Sequence, residues 1–413
     1  MRFSALISLA VLAFAQPVAA APRCDGINGY SAAFEGRQTF LWRPEALALA
    51  KSRIAQDPNA MPAYATLLAD ADAALTRGPW SVTDKTTTPP SGDKHDYMSI
   101  APYFWPDPAK PDSLPYINRD GQVNPQRATE AFDRTRLGDM ANAVQALSLA
   151  YYFTGDQKYA RRASLILKTW FIDPKTRMNP NLDFAQGVPG TVSGRSFGII
   201  DSAELLPVVE AVGLLQPSHT LSAGDMTALR RWFGDLTTWM TDSENGKTER
   251  AAGNNHAIWY DLQLSEFALF AGKADLAHSV ISAFAEARIK PQFAADGSLP
   301  KELARTRSFH YSAWTMQAAY DVAALGECVG VDLWSWQDGD GKGLKASTRF
   351  LAAYAGRETD WGWQEIAMNT QDLYDALMRA AWGFRDPGLV PPSALEAASK
   401  SSARTTLIFP AQY

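Results

Sequence analysis

The 413-residue chain carries a formal net charge of −5, so no basic field argues for nucleic acid as a partner. A hydrophobic fraction of 46% supports one large core, and beyond residue 20 no stretch approaches the roughly eighteen uninterrupted apolar residues of a membrane span. Two cysteines make no zinc pattern and the five histidines lack HExxH spacing, so no metal is expected. With no P-loop or dinucleotide fingerprint in context, no organic cofactor is expected either.

The first element, MRFSALISLAVLAFAQPVAA, reads as a signal peptide over residues 1–20. Arg2 supplies the charged region, residues 5–15 the apolar region, and Val18-Ala19-Ala20 the small residues before cleavage after Ala20. The mature chain, 21–413, is then expected to be exported to the periplasm as a single soluble domain and to act as a monomer. Export makes a disulfide between Cys24 and Cys328 permissible, but the sequence leaves open whether the two meet.

Helical periodicity dominates thereafter. An apolar segment near 60–76 comes first. Leu137, Met140, Ala141, Val144, Leu147 and Tyr151 then form one stripe, Gly155-Asp156 breaks it, and Tyr159, Ala163, Ile166, Leu167 and Trp170 resume it, which predicts a helix hairpin. Similar segments recur near 203–215, 222–241, 257–271, 276–289, 311–325, 343–355 and 371–383, mostly separated by short Gly, Pro or Asp turns. The expected fold class is all-α, an array of helix hairpins that either opens into a superhelix or closes into an α/α toroid. No fixed-period repeat supports the superhelix. Two stretches depart from helix. Residues 81–126, with KHDYMSIAPYFWPDP, form a long lid-like loop, and residues 173–198 crowd Asn, Gln, Arg and Gly between aromatics.

Two later motifs carry polar residues where apolar helices begin. In GNNHAIWYDL, one cap requires one Asn, yet Asn254 and Asn255 both precede His256. In PKELARTRSFHYSAW, Arg305 and Arg307 stand before a helix whose first turn holds His310 and Tyr311. Asn, His, Arg and Tyr together meet one chemical need. Breaking a uronic-acid polymer by β-elimination requires removal of H5, a proton α to a carboxylate. Asn, His or Arg on that carboxylate stabilise the enolate-like intermediate, while Tyr, its acidity raised by a nearby cation, moves a proton at H5 or O4.

NNHAIWY, KHDYMSIAPYFWPDP, TRMNPNLDFAQ and ELARTRSFHYSAW, in this order, closely resemble the alginate lyase family, over roughly residues 94–382. The resemblance implies an incomplete α/α toroid, an anionic polysaccharide partner and an active site of Asn255, His256, Arg305 and Tyr311. The six-residue Arg305-to-Tyr311 interval is one shorter than expected for the mannuronate-specific branch. It looks more like the sister branch that cleaves alginate or glucuronan, and it leaves Arg305 and Arg307 as alternatives for the site.

Further groove contacts are expected from Lys94, His95 and Tyr97 in the lid-like loop, and from Trp105, Gln186, Arg195 and Asn254. His219 and His278 read as structural, and His310 should point about 100° from Tyr311 on a helix. Two rival readings stay open: a glycoside hydrolase using the acidic pair Glu358 and Asp360, and a non-catalytic helical-repeat binding protein.

Overall fold

A computed structural model of the chain describes residues 22–386 and 388–412. The expected signal peptide lies outside these residues. Helices α1 (Pro44–Gln56) and α2 (Pro62–Ala74) each open on proline at the first helical position, where its missing N–H costs nothing. The lid-like region follows with short strands β1 (Met98–Ile100), β2 (Phe104–Trp105) and β3 (Ile117–Asn118). Helices α3 (Arg134–Thr154) and α4 (Gln157–Phe171) form the predicted hairpin. Gly155 takes the left-handed conformation that ends α3, and the Asp156 side chain accepts the Lys158 N–H to start α4.

Strand β4 (Phe184–Gly187) pairs in parallel with β1, Met98 opposite Phe184 and Ile100 opposite Gly187, while β2 pairs antiparallel with β3. The two irregular stretches of the sequence are therefore tied to each other. A ten-residue 3₁₀ segment (Ser196–Leu205), long for that geometry, leads into α5 (Leu206–Leu215). Helix α6 (Ala223–Asp242) starts with a Ser222/Asp225 capping box, and α7 (Glu244–Arg250) and α8 (Asn255–Phe270) follow. Helix α9 (Ala274–Phe284) runs through a π stretch into the short α10 (Lys290–Gln292). The remainder is α11 (Pro300–Leu303), α12 (Ser308–Val329), α13 (Leu344–Ala352), α14 (Thr370–Phe384), α15 (Pro392–Lys400) and α16 (Thr405–Ile408).

Helix α3 packs on α2, α4 and α5, α8 on α6, α9 and α12, and α12 on α14. The result is an incomplete α/α toroid. Helices α1, α7, α10, α11, α15 and α16 fall outside the predicted segments. Helix α8 is buried on all sides, as a helix at the centre of an array must be, and carries the buried polar residues Asp261, Gln263, Ser265 and Glu266 among its apolar ones. Each fully buried Leu or Phe on it contributes roughly 1.5–3 kcal/mol relative to exposure. His256 is the single α8 residue that is not buried. Cys24 and Cys328 do meet in a disulfide, which ties the N-terminal segment to the far end of α12. That segment is also anchored by Glu210 of α5, whose carboxyl accepts the N–H groups of Phe40, Leu41 and Trp42. No helix among the described residues is long and apolar enough to cross a membrane.

Candidate active site

The N-terminal tip of α8 carries the first cluster. Asn254 occupies the N-cap position but makes no side-chain cap bond, so the doubled Asn is not explained by capping. Asn255 gives both its backbone N–H and its Nδ2–H to Glu302 of α11, each at 2.8 Å. Its Oδ1 is buried without a partner. Nδ1 of His256 lies 2.5 Å from Oε1 of Glu249 on α7, and the imidazole stacks on Phe197 at 4.4 Å between ring centroids. Glu249 and Glu302 are 1% and 2% exposed, so two sunken carboxyls stand behind one amide and one imidazole. Burial raises the Glu302 carboxyl above its usual range, against the opposing hydrogen bonds from Asn255.

The second cluster is the first turn of α12. The Tyr311 hydroxyl is 2.6 Å from that of Tyr103, and the Arg305 guanidinium lies over the Tyr311 ring at 3.8 Å. Asp120 fixes Arg305 through Nη2 at 2.6 Å and Nε at 3.2 Å and also accepts the Thr306 hydroxyl at 2.9 Å. Gly121, at φ +75°, permits this approach, because a Cβ there would meet the Thr306 hydroxyl at 2.5 Å. Burial works against the Asp120 carboxylate, but the bonds from Arg305 and Thr306 prevail and hold it below its usual range. Burial also dominates at Tyr311. It raises the phenol well above its ordinary value, with Tyr103 adding to the rise and Arg305 opposing it. The expected acidification by a nearby cation is therefore outweighed, and Tyr311 in the empty cleft is a phenol.

Both clusters open on one cleft of about 830 Å³. Arg127, Arg134, Gln186, Arg195, Asp201 and Glu204 also line it. Gln186 sits there at φ +50°, a backbone state uncommon outside glycine. It is held by its Nε2–H to Asp201 at 3.0 Å and by Arg195, which donates to its Oε1 at 3.2 Å. Arg134 is paired with Glu204. Arg127 and Arg307 differ from the rest. Neither side chain donates a hydrogen bond to the protein among the described residues, and their nearest carboxylates, Asp201 and Glu365, stand 4.0 Å away. Two under-satisfied guanidiniums beside an amide, an imidazole and a phenol are groups that can hold an anion and move a proton beside it.

The sequence model described as alginate lyase matches residues 81–361. The chain belongs to the alginate lyase family. An alginate lyase from Bacteroides ovatus is 38% identical over 91% of this chain and 100% of its own, with a TM-score of 0.86. Alginate lyase A1-III from Sphingomonas species A1 is 15% identical over 90% and 98%, with a TM-score of 0.53. A variant of A1-III complexed with tetrasaccharide is 17% identical over 86% and 97%, at 0.54, and these two likenesses concern the fold. No curated protein matches. The chain is thus a polysaccharide lyase.

Of the residues expected in the site of this family member, Asn254, Asn255, His256, Arg305, Arg307, Tyr311, Gln186 and Arg195 line the cleft, and four others do not. Tyr97 is fully buried and gives its hydroxyl to Asp201 at 3.0 Å, so it supports the wall from behind and cannot touch a ligand. Lys94 donates through Nζ to the Lys85 carbonyl at 2.8 Å, and His95 Nδ1 lies 2.6 Å from the Arg177 carbonyl. Trp105 donates to the Gln122 carbonyl at 2.9 Å. All four belong to the lid-like loop, but that loop reaches the cleft through Tyr103, Phe104, Asn118, Asp120 and Val123 instead. His310, expected to point away, also lines the cleft. Glu358 and Asp360, the acids of the rival hydrolase reading, lie in a short 3₁₀ turn, bonded to Tyr374 and Arg357, and do not line the cleft. Tyr103, Asp120, Glu249, Glu302 and Arg127 escaped the sequence reading, because only folding gives them neighbours.

Proposed function

We propose that this lyase cleaves 1,4-linked uronic-acid polymers, alginate or glucuronan, by β-elimination and leaves 4,5-unsaturated uronate ends. The observation that carries this reading is the Tyr103–Tyr311 hydroxyl pair beneath Arg305, on the same cleft as Asn255, His256 and the under-satisfied guanidinium of Arg307. Asn255, through its second Nδ2 hydrogen, His256, through Nε2, and Arg307 converge on the carboxylate of the reacting sugar. They stabilise the charge that grows there as H5 leaves. Arg305, committed to Asp120, flanks the Tyr311 oxygen.

For mannuronate and glucuronate, H5 and O4 lie on the same side of the ring. Tyr311 first passes its proton through Tyr103 to solvent. The phenolate then takes H5, the freed electron pair forms the C4–C5 double bond, the C4–O4 bond breaks, and the new Tyr311 proton goes to O4; a solvent proton returning through Tyr103 restores the phenol. Guluronate is the C5 epimer, so H5 lies on the other side. His256 Nε2 is then the base, and the Tyr311 phenol protonates O4 directly.

The protein is proposed to work outside the cytoplasm, a reading supported by the leader sequence and the Cys24–Cys328 bond. The test is to supply polymannuronate, polyguluronate and glucuronan separately and follow the ultraviolet absorbance of the new conjugated double bond. Reducing ends without that absorbance would indicate a hydrolase, and neither signal would leave a binding protein.

A further inference from the structure

The cleft holds a second imidazole–carboxylate pair that the reaction above does not use. Nδ1 of His310 lies 2.7 Å from Oδ2 of Asp372, in the first turn of α14. The ring is stacked on Trp314 at 5.7 Å and an interplanar angle of 15°, and it meets the Tyr311 ring edge-on at 5.1 Å. Its backbone N–H, with that of Phe309, is taken by the Glu365 carboxylate. The ring is therefore held on one edge by Asp372 and on one face by Trp314. What remains toward the cleft is the Nε2 edge.

Its position relative to the first imidazole is set by a tryptophan pair. Trp259, three residues after His256, packs on Trp314, four residues after His310, with ring centroids 4.5 Å apart. The two histidines thus stand in the first turns of two helices, α8 and α12, that are joined by this indole pair, each backed by its own carboxylate. His256 faces the reacting carboxylate in the mechanism above, so His310 faces the next position along a bound chain. Aromatic surface between the two matches the apolar face of a sugar ring.

We propose that His310, oriented by Asp372, binds the carboxylate of the uronate unit adjoining the one that reacts. This rests on the reading of the cleft as a uronate-polymer lyase site. With a carboxylate on each edge, the ring satisfies both as an imidazolium, Nδ1–H donated to Asp372 and Nε2–H to the sugar. His310 is then a binding residue, and Asp372 is a positioning residue that acts through it.

The test compares His310→Gln and Asp372→Asn with the wild-type enzyme on a uronate polymer, measuring kcat and KM separately. A contact made equally in ground and transition states moves KM. His310→Gln is expected to raise KM about tenfold, the scale of one charge-assisted hydrogen bond, with kcat within about twofold. Asp372→Asn keeps an acceptor for Nδ1–H and should raise KM in the same direction by less. A loss in kcat that exceeds the rise in KM in either variant overturns the assignment, as does an unchanged KM in both. Wild-type enzyme that leaves the unsaturated-product absorbance flat on every uronate polymer overturns the lyase reading itself, and the subsite with it.

Discussion

Oε1 of Glu249 stands 2.5 Å from Nδ1 of His256, at the one point where α8 emerges from the core. The carboxyl comes from α7, is itself buried, and fixes which imidazole edge faces the cleft. Glu249→Ala frees the ring to rotate toward Phe197 and leaves Nδ1 without its acceptor. Turnover should fall about tenfold or more, with folding intact by circular dichroism. Wild-type turnover in a folded Glu249→Ala variant would remove the carboxyl from the site.

Tyr311→Phe preserves the packing on α12 and deletes only the hydroxyl. Turnover should drop about 10²-fold or more, the usual scale for an acid–base group. Tyr103→Phe, which removes the 2.6 Å hydroxyl partner, should slow the reaction by less, because it blocks one proton route and not the transfer to O4. Equal losses in the two variants would contradict this ranking.

The two arginines should separate kinetically. The Arg307 side chain donates no hydrogen bond to the protein among the described residues, so Arg307→Ala should act mainly by raising KM. Arg305→Ala exposes the Asp120 charge beside Tyr311 and removes the cation over its ring, so it should act mainly on kcat. The reverse pattern in steady-state assays would exchange their roles.

His256→Gln distinguishes the two stereochemical courses. On polymannuronate or glucuronan, where Tyr311 handles both protons, measurable activity should remain. On polyguluronate, where His256 is the base, the loss should be about 10²-fold. Equal proportional losses on all three polymers would refute the division of labour.

Stability should fall as pH rises toward neutrality through a buried carboxyl pair. Burial pushes Glu210 up to about 7 despite its three backbone donors, and Glu266 of α8 faces it, raised well above its usual range by burial and by Glu210. Ionising both would place two like charges in the core, so one proton is retained between them. A carboxyl whose pKa is raised by folding contributes stability that is complete below the ordinary carboxylate range and is lost as pH rises through about 7. The melting temperature should therefore decline as pH rises from the ordinary carboxylate range through about 7, and Glu266→Gln, a neutral donor to Glu210, should flatten the decline. Parallel curves for the two proteins would rule out this pair as the cause.

Much of this protein is legible along the chain because helical burial is periodic. The stripe from Leu137 to Trp170, broken at Gly155-Asp156, determines a hairpin wherever it is placed, and the predicted segment near 257–271 is α8. Polar residues set at the starts of apolar helices likewise mark Asn255, His256 and Tyr311, since an amide and an imidazole at the tip of a buried helix have no packing reason to be there. Charge partnership has no sequence period. Glu249 and Glu302 lie 7 and 47 residues from their partners in the Asn255-His256 pair, and Tyr103 lies 208 residues from Tyr311. Only the closing of α7, α11 and the lid-like loop against α8 and α12 brings them together. The same closure turned Tyr97 and Lys94 inward, toward Asp201 and the Lys85 carbonyl, because buried polar groups take the nearest partner that satisfies them. It also decided the acidity of Tyr311. Two arginines in sequence suggest a lowered phenol pKa, but depth of burial is a tertiary property, and here it outweighs them.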